Sequence, residues 1–102
     1  MAGYNIDRER IAIGTHVRQW RMVLDLTAQQ VADRADITRT TLRKIEAGDP
    51  SVSFGNVAQV LRALGLLDAV VTATDPLNTD IGRLRANVLT RKRARRREHW
   101  QA

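Results

Sequence analysis

The chain has no cysteine, and among its 102 residues only two prolines, two histidines and four aromatic side chains. Without cysteine there can be no disulfide and no thiolate metal site. His16 and His99 stand far apart in unlike settings, so no metal is expected. There are no paired carboxylates, no nucleophile–base arrangement and no glycine-rich phosphate loop, so the expectation is a protein that is not an enzyme and uses no cofactor. No apolar run approaches the roughly 20 residues of a membrane-crossing helix. Met1 to Arg10 lacks the apolar segment of a secretory signal. A cytoplasmic protein without a membrane partner is expected. Strand-type alternation and internal repeats are missing too, which leaves an all-α class.

What is present is positive charge, unevenly placed. The net charge is +6, yet residues 1–82 carry nine basic and ten acidic side chains. Residues 83–102 carry eight basic and one acidic. The excess belongs to the C-terminal end, and a bias of that kind suits a polyanion or an acidic protein surface.

The densest local signals lie between Leu26 and Gly48. Thr27 is a good N-cap, and Gln30 three residues on completes a capping box. Val31, Ala32 and Ala35 then fall on one helical face, predicting a helix over about Ala28 to Ala35. Asp36 and Ile37 make a turn; Asp tolerates the left-handed backbone better than most residues. Thr38 caps a second helix whose Leu42 and Ile45 point inward. Gly48 suits its C-terminus, and Asp49-Pro50 cannot continue it. Its outward face is Arg39, Thr40, Arg43, Lys44 and Ala47, three of them cationic. A tight turn between two packed helices pushes the start of the second one outward, where a DNA major groove can receive it.

Around this pair the spacing predicts further helices. Asp7 is placed to cap a first helix reaching about Val23, with Ile13, Val17, Trp20 and Leu24 as its inward stripe and Trp20 in the core. Ser53 caps a fourth helix, near Phe54 to Leu64, with Val57, Val60, Leu61 and Leu64 inside and Gly65 at its end. Leu66 to Thr72 reads as a fifth. Thr74-Asp75-Pro76 breaks the chain, dividing a domain over residues 1–74 from a linker and basic tail over residues 75–102. Within the latter, Thr79 can cap an amphipathic helix from about Asp80 to Thr90.

Taken in order, I-G-x-x-V-R-x-W-R from Ile13, L-T-x-x-x-V-A from Leu26, I-T-R-T-T-L-R-K-I-E-A-G from Ile37 and P-S-V-S-F-x-x-V-x-x-V-L-R-A-L-G from Pro50 resemble the phage Cro/repressor (XRE-like) helix-turn-helix family. The resemblance covers about Ile13 to Leu66. It implies a five-helix, repressor-like DNA-binding domain with a basic C-terminal extension. By position it implies that Arg39, Thr40 and Lys44 reach double-stranded DNA, with Thr38 and Arg43 flanking them. It also implies a structural ion pair between Arg21 and Glu46. The family usually places Gln directly after the Thr27 position to brace a phosphate; here that residue is Ala28, and Gln29 or Gln30 would have to serve instead.

The family often uses its last helix as a two-fold interface. Leu66, Leu67, Val70 and Val71 either close the core or form such a homodimer contact, and the dimer is the expectation because two recognition helices read a palindrome. The resulting picture is a transcriptional repressor acting as a homodimer on its own operator, in the nucleoid. The run Arg91 to Arg97, with Arg91, Lys92 and Arg93 at its start, can track DNA phosphates at a gain that falls steeply with salt, or dock on an acidic protein. The segments G-D-P-S-V-S-F, L-G-L-L-D and D-P-L-x-x-D-x-G-R are similar to HipB-like antitoxins. That resemblance implies the alternative of an antitoxin neutralising a kinase-like toxin through the C-terminal region.

Overall fold

The computed structural model describes residues 4–91. The regular structure among these residues is helical, with no strand. The elements are α1 (Asp7–Val23), α2 (Ala28–Ala35), α3 (Arg39–Glu46), α4 (Phe54–Ala63), α5 (Leu67–Thr74), a 3-10 turn at Pro76–Asn78 and α6 (Asp80–Leu84), after which residues 87–91 are again helical. The chain separates into two compact units, and the division falls within α5, between Asp68 and Ala69.

In the first unit the caps explain where helices begin. Thr27 Oγ1 accepts from the Gln30 N–H at 3.1 Å, and Gln30 Oε1 accepts from the Thr27 N–H at 2.8 Å, so the capping box is complete. Thr38 caps α3 through the Thr41 N–H at 3.0 Å, and Ser53 caps α4 through the Asn56 N–H at 3.1 Å. The start of α1 differs from expectation. Asp7 is its first helical residue rather than its cap; its own N–H donates to Asn5 Oδ1 at 2.8 Å, and its carboxylate pairs with Arg10. A carboxylate in the first turn also faces the positive end of the helix dipole.

All four helix ends in this unit close in one way. Asp25, Asp36, Gly48 and Gly65 have φ values of 57°, 56°, 75° and 77°. The N–H after each of them donates five residues back along the chain: Leu26 to Arg21 O, Ile37 to Ala32 O, Asp49 to Lys44 O and Leu66 to Leu61 O. This is the Schellman closure, which satisfies carbonyls the helix leaves unpaired. It requires a left-handed residue, and Asp25 and Asp36 supply it at some cost where glycine would not.

The core consists of Val17, Val31, Ala32, Ala35, Leu42, Ile45, Val60 and Leu64, with Leu26, Ile37, Val52, Val57, Leu61 and Leu66 packed at its edge. α2 packs on α4 and α3, and α1 packs on α3. The inward line of α1 is a correction to the sequence reading. Gly14 and Val17 are its buried residues, while Ile13 (55% exposed), Trp20 (43%) and Leu24 (43%) lie outside the core. The helix is turned so that Arg10, Gly14, Val17 and Arg21 face the rest of the unit. The reason is close backbone approach. A Cβ on Gly14 would sit 2.7 Å from the carbonyl oxygens of Ile45 and Glu46, and one on Gly48 would sit 2.8 Å from Arg10 O. The two glycines let α1 lie directly against the end of α3, and that contact outranks the more apolar stripe.

Three arginines fasten helix ends, two of them at long sequence range. Arg10 donates to Gly48 O after α3. Arg21 Nη1 donates to Leu26 O after α1 at 3.3 Å, and Arg62 Nη2 donates to Arg34 O in the last turn of α2 at 2.6 Å.

In the second unit, Asp75 caps the 3-10 turn through the Leu77 N–H at 2.9 Å, with Pro76 at its first position. Thr79 Oγ1 accepts from the Gly82 N–H at 3.0 Å and donates to Pro76 O at 2.7 Å. A Cβ on Gly82 would fall 1.6 Å from Pro76 O, so only glycine fits there. The single helix expected over Asp80 to Thr90 is instead two pieces. Beyond Leu84 the Ala86, Val88 and Leu89 N–H groups bond three residues back. Short helices hold their winding mainly through packing, and none of the described residues from Ala69 on is buried.

Candidate nucleic-acid interface

α3 is buried on one side and bare on the other. Leu42 and Ile45 are 1% and 5% exposed, whereas Arg39, Thr40, Arg43, Lys44 and Ala47 are all exposed. The helix carries one acid, Glu46, and the fold turns it away from this face. Arg21 Nε donates to Glu46 Oε2 at 2.7 Å and Nη2 donates to Oε1 at 3.2 Å, a two-pronged pair with both side chains largely covered. The hydrogen bonds that Arg21 donates to Glu46 raise the Arg21 pKa above its ordinary value. With Glu46 neutralised inward, the field outside α3 is set by Arg39, Arg43 and Lys44. None of these three forms an ion pair among the described residues.

The flanking residues are partly committed to local structure. Thr38 is exposed, but its hydroxyl accepts from the Thr41 N–H and donates to Thr41 Oγ1 at 3.0 Å. Gln30 spends its carbonyl on the capping box and keeps its amide N–H groups. Gln29 donates to Asp33 Oδ1 at 2.8 Å. Both glutamines are exposed at the start of α2. Ala28, where a longer side chain would fill the space, opens onto a recess lined also by Arg21, Arg39, Leu42, Arg43 and Glu46. Beyond α3, hydrogen bonds from Ser51, hydroxyl first and backbone second, hold the Asp49 carboxyl below its ordinary range.

Arg91 is exposed and closes the described segment; Lys92 and Arg93 lie outside the described residues. Leu66, Leu67 and Val70 are half-buried, with Leu66 against the core, and Val71 is 60% exposed. Among the described residues no three potential metal ligands come together, and no single helix is long and apolar enough to cross a membrane. Sequence reasoning missed Arg10, Gly14 and Arg62, which hold α1, α3 and α2 in place. Their partners lie 28 to 38 residues away, beyond the reach of any local pattern.

Two short helices joined by a left-handed aspartate, the second offering a cationic face whose first residues are exposed, define a helix-turn-helix unit. A model of the helix-turn-helix domain matches residues 12–74, more than half of the sequence. The chain belongs to that family, whose partner is DNA. No curated protein and no solved structure matches it.

Proposed function

We propose that the chain is a Cro/repressor-like, sequence-specific transcriptional repressor that binds a palindromic operator as a homodimer, represses its own gene and performs no catalysis. The observation that carries this reading is the exposed face of α3, cationic and freed of its one acid by the Arg21–Glu46 pair. Arg39 and Thr40 in the first turn of α3 and Lys44 one turn on touch base edges. Arg43, the amide groups of Gln29 and Gln30, and the basic residues Arg91, Lys92 and Arg93 hold phosphates, with Thr38 at the edge of the contact. Leu66, Leu67, Val70 and Val71 supply a two-fold contact. Binding in the nucleoid blocks transcription by occupancy.

The test uses a duplex selected from a randomised pool by the full chain, with binding followed by fluorescence anisotropy. Arg39→Ala is expected to cut preference for the selected site over a scrambled one by roughly 10–100-fold, the worth of about 1–3 kcal/mol in one bidentate base contact. Removal of residues 91–102 is expected to weaken binding to both duplexes and flatten the salt dependence. Preference unchanged by Arg39→Ala would sink the assignment of α3 as the reading helix.

A second reading is favoured by the charge of the C-terminal end, where residues 83–102 hold eight basic side chains against one acidic. In it, this region neutralises a kinase-like toxin that presents an acidic surface. Stoichiometric co-purification of such a protein with the chain from its own cells supports that reading.

A further inference from the structure

Where α2 begins beside α3, the short side chain of Ala28 leaves a recess of about 150 Å³, lined by Arg21, Ala28, Arg39, Leu42, Arg43 and Glu46. Burial sets its layers. Leu42 belongs to the core and Ala28 packs against it, so these two form the inner side. Arg39 and Arg43 are exposed and stand at the mouth. Arg21 and Glu46 make the remaining wall and hold each other, and the third nitrogen of Arg21 donates to Leu26 O. Among the described residues no buried side-chain nitrogen or oxygen lacks a hydrogen-bond partner. Behind its two cations the recess therefore has no free polar group for a guest to meet, only the alanine methyl and the leucine.

Size narrows the guest further. Sites for free small molecules usually measure about 300–1,000 Å³. A recess half as large suits one small group carried on a larger partner. In the reading proposed above that partner is duplex DNA, and Arg39 at the mouth meets a base edge. The bases stacked beside that one stand about 3.4 Å along the strand, within reach of the recess. Of the base edges in a major groove only that of thymine carries an apolar group, its 5-methyl. A glutamine at position 28 would fill the space and present an amide in place of the alanine methyl.

We propose that Ala28 is a specificity-determining residue: the recess it leaves takes the 5-methyl group of a thymine next to the base that Arg39 contacts. The inference rests on α3 as the reading helix and adds a residue of α2 to the reading.

Uracil in place of thymine removes this methyl group and keeps the base pair, so the test runs on the full chain and the selected duplex, followed by fluorescence anisotropy. Thymines are replaced one position at a time. Binding is expected to weaken about fourfold at one position per half-site, the effect of exposing one buried methyl group, and little elsewhere. Ala28→Gln, with parental helix content checked by far-UV circular dichroism, should bind the thymine and uracil duplexes equally at that position. A loss at uracil that persists undiminished in Ala28→Gln seats the methyl elsewhere and overturns the assignment. Preference for the selected duplex that survives uracil at every position also overturns it, and leaves α3 as the reading helix. Tighter binding when a cytosine becomes 5-methylcytosine, without loss at any uracil, overturns thymine as the occupant in favour of the methylated base. A chain that selects no sequence overturns the reading by α3 and this recess together.

Discussion

The stretch that ends at Asp68 and the stretch that begins at Ala69 use the same local devices, threonine or aspartate caps and arginine clasps on carbonyls. They differ in what lies beneath. The first closes over eight buried apolar residues, whereas the described part of the second has none. Caps and clasps fix where a helix starts and stops, but each contributes only about 1 kcal/mol. Burial of one leucine contributes about 2–3 kcal/mol. The contrast teaches that order along the chain and stability of the fold have separate sources here.

The contrast can be broken at one atom. Gly14→Ala drives a methyl group into backbone on α3, which cannot swing away as a side chain would. It is expected to cost about 3 kcal/mol or more and to lower the thermal midpoint of the first unit, measured by calorimetry. Nearly as large is the effect of Leu42→Ala, about 3 kcal/mol from lost burial and the cavity left behind. Leu84→Ala, on an exposed side chain, is expected to change stability by less than about 0.5 kcal/mol. Equal costs for these two in urea titrations would erase the distinction between the units. Glu46→Gln leaves the Arg21 guanidinium covered and without its counter-charge, which should cost about 2 kcal/mol in the same titrations. The smallest effect has the opposite sign. Asp36→Gly relieves a left-handed side chain and should stabilise by about 0.5 kcal/mol, the relief being offset in part by the greater freedom of glycine in the unfolded chain.

The sequence made legible whatever depends on near neighbours. The capping box of Thr27 and Gln30, the caps at Thr38, Ser53 and Thr79, and the left-handed turn at Asp36 all involve partners within about three residues. Hence α2 is bounded as expected, and the exposed side of α3 follows from its short apolar pattern. The rotation of α1 was not legible, because it is set by Gly14 meeting residues more than 30 positions away. Counting apolar residues on α1 favoured Ile13 and Trp20, and no local rule reveals that backbone contact at Gly14 and the Arg21–Glu46 pair win. The break after Leu84 has the same root, for a continuous helix was inferred from Ile81, Leu84 and Val88 as though a core lay below them.

The turn imposed on α1 carries a consequence for spectroscopy. It leaves the Trp20 indole beside His16, Gln19 and Val23 at the protein surface. Its emission in the native state is expected to be that of a partly hydrated ring. Unfolding is therefore expected to shift the Trp20 emission maximum little, read in a Trp100→Phe chain, and a blue shift of this fluorophore would signal instead that another molecule has settled on the outer side of α1.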